Sequence, residues 1–261
     1  MEYITRFITR FLRIVHYYRW KITVRFTSPI PCSGKEKITV IVPSYNILRV
    51  HNLEPLIRSV LRYNGVEKVI VSNHNPLIRL ENHIHLKDER ITLINQEERR
   101  GCGYAWVVAS QQTADYFMII DDDFLILPKQ VAILSEQLFS QPEIPHGLTG
   151  KTADGRYVES EEVVVDNLYN IYAVTRKHVE TYLIYTREIV TKGYATIEDI
   201  DYWAGDVIIS RVGTSAPRTH AVGFITHCRT KDRPGVATWK EEGFDQRRLK
   251  VQVAVETIKA S

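Results

Sequence analysis

From residue 37 onward, short apolar runs alternate with segments whose apolar residues recur every three or four positions. The runs are rich in β-branched residues, are typical of buried parallel strands, and cover residues 38–43, 66–71, 91–94 and 116–120. Helical spacing lies between them, at residues 53–63 and 104–113. This alternation predicts an α/β fold, with a mostly parallel sheet flanked by helices.

Polar side chains follow three of the predicted strands at the point where each strand ends. These segments are Ser44–Asn46, Ser72–Asn75 and Asp121–Asp123. Because the carboxyl ends of parallel strands share one edge of a sheet, we expect these segments to lie together. Open α/β sheets bind nucleotides at that edge, and asparagine side chains there can pair with a base or ribose.

Asp121, Asp122 and Asp123 stand between two apolar runs, residues 116–120 and 124–127. Adjacent carboxylates repel one another and raise each other's pKa unless a cation neutralises them. A Mg²⁺ or Mn²⁺ ion bound by one or two carboxylates and by substrate phosphates would do so. A solvated acidic turn is the alternative, although charges between two buried segments need a partner.

Composition and missing motifs exclude several other functions. The glycine-rich G-x-G-x-x-G and Walker A patterns are absent, which disfavours a dinucleotide oxidoreductase or a P-loop NTPase. A net charge of +3 gives no reason to expect a nucleic acid partner. Cys32, Cys102 and Cys228 are far apart and odd in number, so they predict neither a disulfide framework nor a metal-spaced set. Reduced thiols fit a cytoplasmic location.

Residues 1–26 combine apolar residues at helical spacing with several arginines. The segment contains no apolar stretch near the roughly 18 residues of a membrane span. The arginines also interrupt any signal-peptide core. Such a basic amphipathic helix can lie peripherally on an anionic membrane or pack on the domain. Residues 27–36 have the composition of a linker, so we expect residues 1–36 to form an extension before a domain at 37–261.

Several segments resemble glycosyltransferases of the Rossmann-like GT-A fold. Residues 39–46 are similar to the first strand of that fold. Residues 69–75 are similar to its second strand, where exostosin-like enzymes of family 64 place asparagines at the uridine. Residues 118–126 resemble the exostosin-like version of the D-x-D signature. Residues 198–201 look like the acidic motif of many family 2 enzymes, and Trp239 is similar to a tryptophan in a C-terminal exostosin motif.

This resemblance covers about residues 37–250. It implies a metal-dependent enzyme that moves a sugar from a nucleotide donor, UDP-linked, to a hydroxyl of a glycan or glycolipid acceptor. Residues 37–127 would bind the nucleotide sugar, and residues 128–261 would form a mixed acceptor and catalytic portion. Exostosin-like enzymes retain the anomeric configuration whereas family 2 enzymes invert it, and this sequence has features of both.

The resemblance also implies site residues. Donor contacts are expected from Pro43, Ser44, Tyr45, Asn46, Asn73, His74, Asn75, Arg100, Asp121 and Asp122. Metal contacts are expected from Asp121, Asp123 and His227, with Mn²⁺ or Mg²⁺ as the ion. The catalytic base is expected first at Asp199 and second at Asp201, with Glu198 beside them. The alternatives are a surface role for Arg100, a structural role for His227, and helix-capping carboxylates after Thr196.

The chemistry of sugar transfer agrees with these residue types. Cleaving a sugar–phosphate bond builds negative charge on the leaving diphosphate, which a divalent ion stabilises. An inverting reaction also needs a base for the acceptor hydroxyl. Two arginines of the exostosin-like family have no match at the same positions here. Arg49 is the nearest candidate for the arginine after the first strand, and Lys240, Arg247 or Arg248 can replace the C-terminal one. A sugar nucleotidyltransferase and an inactive glycosyltransferase-like scaffold are the alternative functions.

Overall fold

The computed structural model describes residues 2–230 and 240–260, with side chains from residue 11 onward. Trp239 lies outside the described residues. The strands are β1 Ile38–Ser44, β2 Val66–Asn73, β3 Ile91–Asn95, β4 Tyr116–Ile120, β5 Phe124–Leu125, β6 His146–Lys151, β7 Tyr157–Glu159, β8 Val163–Val164, β9 Asn167–Thr175, β10 Arg218–Thr219 and β11 Thr226–His227.

Helices flank both faces of the sheet. The α-helices are α1 Glu2–Phe26, α2 Leu53–Val60, α3 Tyr104–Ser110, α4 Pro128–Ser140, α5 Arg176–Thr191, α6 Ile197–Asp199, α7 Gly205–Ile209 and α8 Phe244–Ala260. Short 3₁₀ turns span Val50–Asn52 and Leu80–Asn82, and a π-helical turn, Ile200–Ala204, joins α6 to α7. One apolar core packs with α1, α2 and α4, and a second packs with α3, α5, α7 and α8.

The described part of the chain forms one nine-stranded sheet and one two-stranded sheet. The large sheet has the order β3-β2-β1-β4-β9-β6-β10-β8, and β7 pairs with β6. Strands β3, β2, β1 and β4 run parallel. From β4 onward the neighbours β9 and β6 are antiparallel. The structure thus confirms the predicted α/β fold, with a mostly parallel sheet that becomes mixed towards the C-terminal portion.

The strand registers bring the polar strand ends to one edge. Ser44 of β1 lies opposite Asn73 of β2, and Asn73 lies opposite Asn95 of β3. All seven residues of β1 are buried, as expected for a central parallel strand. Asp121 follows the last residue of β4 directly. The edge predicted from the sequence therefore exists.

Helix α1 packs on the domain with one face. Tyr17, Trp20 and Val24 are buried in the same core as β1 and α2. The Trp20 indole donates a hydrogen bond of 3.1 Å to the carbonyl oxygen of Ile126. The division after residue 36 stays a prediction. In the described ranges, no helix has the length and apolar character needed to cross a membrane.

Residues 222–226, the largely apolar run before His227, are mostly irregular. Only Thr226 and His227 pair, with β5. Gly223 takes a left-handed conformation with φ +82°, which breaks the extended backbone. The Gln130 side chain donates to the carbonyl oxygen of Phe224 at 2.9 Å, so a side chain replaces a strand neighbour there.

Candidate active site at the carboxyl edge of the sheet

The loop after β4 presents three carboxylates to the edge of the sheet. Asp122 accepts a hydrogen bond of 2.8 Å from the Ser44 hydroxyl at the end of β1. The two terminal nitrogens of Arg49 contact Asp122 at 3.1 Å and Asp123 at 3.0 Å. Asp122 and Asp123 are buried, and the Arg49 side chain is only 12% exposed. Arg49, the nearest match to the family arginine after the first strand, is therefore the cationic side chain that pairs with this loop.

Asp121 is held from the opposite side, by β9. Its backbone N–H donates to the Asn170 carbonyl oxygen, and the Asn170 amide donates to its carboxylate, both at 2.9 Å. Burial raises the pKa of Asp121 to about 8, and repulsion from Asp123 adds to the shift. Burial likewise raises the pKa of Asp122, although Arg49 opposes the change.

The donor set of this loop fits a hard cation that substrate oxygens complete. Oδ1 of Asp123 is buried and accepts no hydrogen bond from the described residues. Arg49 pairs with two carboxylates, Asp122 and Asp123, so a single guanidinium compensates only one of their two negative charges. Within the described ranges, no cluster of three or more His, Cys, Asp or Glu side chains could hold a metal by itself. A Mg²⁺-type ion bound by one or two carboxylates and by substrate phosphates agrees with both observations.

His227 borders the acidic loop from β11. It lies opposite Phe124 in the β5–β11 pair, and the N–H of Cys228 donates to the Asp123 carbonyl oxygen at 2.9 Å. The His227 Nε2 lies 2.9 Å from a carboxylate oxygen of Glu159. The structure therefore places His227 beside the predicted metal residues and gives it a carboxylate neighbour. Its role as a metal ligand stays a prediction.

The asparagines at the end of β2 build the loop around the edge. The Asn73 amide donates to the carbonyl oxygens of Asn75 and Ile78, at 2.9 and 2.6 Å. The Asn75 amide donates to the Tyr45 carbonyl oxygen at 3.0 Å and ties the β2 loop to the β1 loop. Asn46 Oδ1 accepts from the Leu48 backbone N–H at 2.9 Å. These intramolecular contacts therefore use side-chain groups that were expected from the sequence to bind a nucleotide.

His74 and Arg100 are also engaged within the protein. His74 is buried, its Nε2 lies 3.0 Å from the Ser72 hydroxyl, and burial lowers its pKa to about 4. Its imidazole is therefore neutral at pH 7. Arg100 pairs with Glu98 at 3.0 Å and stacks over the Tyr104 ring. In the described contacts its ion-pair partner is Glu98 rather than the acidic loop.

Arg99 links the β1 loop to the segment after α6. Its guanidinium lies over the ring of Tyr45 at 4.9 Å and over the ring of Tyr202 at 5.5 Å. The Tyr202 hydroxyl donates to the Arg99 carbonyl oxygen at 3.0 Å. Such cation–π contacts hold the predicted donor side and the acidic motif together.

The carboxylates of the acidic motif have different roles, since one caps a helix and another contacts the loop at Gly101. Asp199 and Thr196 exchange hydrogen bonds of 3.1 Å in a capping box, which is the structural role open to these carboxylates. Glu198 is exposed. Asp201 instead accepts from the Gly101 N–H at 3.3 Å, and burial raises its pKa to about 6. A Cβ at Gly101 would lie 2.2 Å from the Asp201 carbonyl oxygen, so glycine permits this approach.

Asp206 is a largely buried carboxylate that sequence reasoning missed. Its carboxylate pairs with Arg248 of α8, and both side chains are largely buried. The Cys102 residue is exposed, but the protein atoms around its thiol raise the pKa of that group by desolvation, and Asp121, Asp206 and Asp201 raise it further. Carboxylates from three segments therefore surround Cys102. The available signal was one aspartate within the apolar run 204–209.

The model of the family described as "Glycosyl transferase family 2" matches residues 39–194. The chain belongs to glycosyltransferase family 2. The match includes the acidic loop and the polar ends of β1 and β2, and it stops before residues 198–201. Membership confirms the family 2 part of the resemblance, while the exostosin-like part stays a prediction. No curated protein matches the chain.

Two solved structures are similar to this glycosyltransferase domain. A crystal structure of GalNAc-T7 with UDP, GalNAc and Mn²⁺ superposes with a TM-score of 0.57 at 13% identity, covering 87% of this chain and 48% of that one. A crystal structure of S. aureus TarS 1–349 gives 0.46 at 14% identity, covering 75% and 61%. This chain thus spans about half of the GalNAc-T7 chain. The GalNAc-T7 likeness confirms the GT-A fold.

Proposed function

We propose that this family 2 chain transfers a sugar from a UDP-sugar to a hydroxyl of a glycan or lipid-linked acceptor. The main support is the placement of Asp122 and Asp123, buried at the carboxyl end of β4 beside Ser44 of β1. Open α/β sheets bind nucleotides at this edge. GalNAc-T7, which has the same fold, was crystallised with UDP and Mn²⁺.

We propose that Asp123, with Asp121 beside it and His227 at the border of the loop, holds a Mn²⁺ or Mg²⁺ ion together with the donor diphosphate. The unbonded, buried Oδ1 of Asp123 supports this assignment. When bound, the ion would stabilise the charge of the leaving diphosphate. Arg49 holds Asp122 and Asp123 in place, and Asn170 holds Asp121, so the loop is ordered by the protein itself.

Asp201 is our proposed base, in preference to Asp199. The Asp199 carboxylate closes a helix cap, whereas Asp201 meets the loop at Gly101 and has a pKa of about 6. A carboxylate with this pKa is ionised at pH 7 and is basic enough to take the acceptor hydroxyl proton. Asp206 is paired with Arg248, so it is the weaker candidate. A base that deprotonates the acceptor hydroxyl is what a reaction with inversion of the anomeric configuration needs, so this assignment supports an inverting mechanism.

Calorimetric titration of UDP, with and without Mn²⁺, tests the proposal. We expect Mn²⁺-dependent UDP binding by the wild type and its loss in Asp123→Asn. The matched control is Asp115→Asn, at the opposite end of β4, where the aspartate side chain is 84% exposed. This control should bind UDP normally.

Three results would contradict the proposal. UDP binding that depends on neither Mn²⁺ nor the Asp123 carboxylate would contradict the assignment of a metal site. No UDP binding under either condition would favour the inactive scaffold or a different nucleotide donor. Pyrophosphate release from UTP and a sugar phosphate would identify a sugar nucleotidyltransferase.

A further inference from the structure

The face of α1 that points away from the domain is apolar. Phe11, Val15, Tyr18, Ile22 and Phe26 are 57, 44, 59, 59 and 77% exposed. Their spacing of three or four residues puts them on one side of a helix. The opposite side of α1 is the one that packs on the core. A soluble helix normally shows polar residues on its outer side, so this stripe needs a partner that is missing from the isolated domain.

The sequence around this stripe carries charge of one sign only. Residues 3–35 contain seven lysines and arginines and no aspartate or glutamate. With 100° of rotation per residue, Arg19 flanks the stripe on one side, and Lys21 and Arg25 flank it on the other. All three side chains are exposed. The stripe is therefore an apolar surface between two basic edges.

A basic groove continues one of these edges. Lys21 and Arg25 of α1, with Arg58 of α2 and Arg62 just after α2, line a cavity of about 460 Å³. Glu54 is the acidic residue in its lining, and it pairs with Arg58 at 3.0 Å. The groove keeps a positive charge of about three and is wide enough for a phosphate group. It lies beside the stripe because α1 contributes to both.

We propose that α1 is a docking surface for an anionic lipid bilayer. The stripe enters the boundary between headgroups and acyl chains, and the basic groove meets the lipid phosphates, as in other amphipathic membrane helices. Charge decides against a second copy of this chain as the partner, since each α1 helix has six basic residues and one acidic residue, and two such helices would repel each other. The inference goes beyond the proposed function and does not depend on it.

Sedimentation of the full chain with vesicles tests this inference. We expect binding to phosphatidylcholine vesicles that contain phosphatidylserine, and little binding to phosphatidylcholine alone. The triple variant Phe11→Ser/Ile22→Ser/Phe26→Ser should bind at least about tenfold more weakly, because its apolar contacts are lost. The matched control Leu249→Ser/Val253→Ser changes residues of α8 that are 60 and 54% exposed, and it should bind like the wild type.

A charge variant provides a second, independent readout. Lys21→Gln/Arg25→Gln should weaken binding about thirtyfold, and added salt should weaken the wild type in the same direction. Equal binding to both vesicle types, or unchanged binding by both variants, would overturn the proposal. So would a lipid-free dimer, seen by sedimentation velocity, that the triple variant makes monomeric. If the triple variant fails to fold, the charge variant decides.

Discussion

Asn170 and Asp121 hold each other by two hydrogen bonds of 2.9 Å, one in each direction. Asn170 has φ +60°, so it stands in the left-handed region, which asparagine tolerates better than most residues. The pair fixes the start of the acidic loop to β9. It therefore sets where the first of the three carboxylates can lie.

We predict that Asn170→Ala destabilises the fold by about 2–4 kcal/mol, as it loses the hydrogen bond to the Asp121 carboxyl group and strains the backbone. Urea denaturation measures the change. Asn170→Gly is the matched control, because glycine accepts this backbone but has no amide. Asn170→Gly should therefore be more stable than Asn170→Ala by the free energy of the backbone strain alone. Equal loss in both variants would show that the strain is negligible.

Loss of the ion pairs between Arg49 and the carboxylates of Asp122 and Asp123 is expected to have a larger effect on stability. Arg49→Gln leaves two buried carboxylates without their cation, and we expect a loss of about 3–5 kcal/mol. The exposed pair Arg58–Glu54 is the control, and Arg58→Gln should change stability by less than about 1 kcal/mol. Thermal unfolding checks both variants. Adding Mn²⁺ should recover part of the Arg49→Gln loss but none of the small Arg58→Gln change.

The pKa of Asp201 gives a pH dependence with a defined sign. Its folded-state pKa of about 6 lies above its ordinary value of 3.8, because burial disfavours the carboxylate. Its contribution to stability is full below pH 3.8 and is lost as the pH rises through 6. Asp201→Asn should therefore be more stable than the wild type above pH 6, by about 1–2 kcal/mol after allowance for partial exposure. The difference should vanish near pH 4, as urea titrations at several pH values would show.

The same aspartate should govern activity. Wild-type turnover of a UDP-sugar should fall below pH 6, and Asp201→Asn should lose about 10²–10⁴-fold in rate. Asp199→Asn, which alters a capping box, should keep most of the activity under conditions where it is folded. The opposite ranking of the two variants would return the base to Asp199.

The stereochemistry of slow hydrolysis tests the proposed base. Water in place of the acceptor should attack an α-linked UDP-sugar from the opposite face, so that the β-anomer forms first. Proton NMR detects this anomer before mutarotation mixes the products. An initial α-anomer would mean retention and would favour the exostosin-like assignment over an inverting reaction at Asp201.

The sequence predicted the sheet well because strand ends are marked locally. The apolar runs before Ser44, Asn73 and Asp121 place those residues at one edge without any knowledge of distant contacts. The partners of the acidic loop were harder to predict. Asn170 is 49 residues from Asp121, and its left-handed backbone has no sequence signature as strong as a glycine. The roles of Asp199 and Asp201 depend on which carboxylate the helix cap uses, which the spacing alone leaves open.

Strand β4 is the border at which the parallel half of the sheet meets the antiparallel half. The loop that follows it is hydrogen-bonded to both halves, to β1 through Ser44 and to β9 through Asn170. Because of these hydrogen bonds, a shift of either half moves the three carboxylates. The outer strands β3 and β8 lie several strands away from this loop, whereas a change at Ser44 or Asn170 acts on the carboxylates directly.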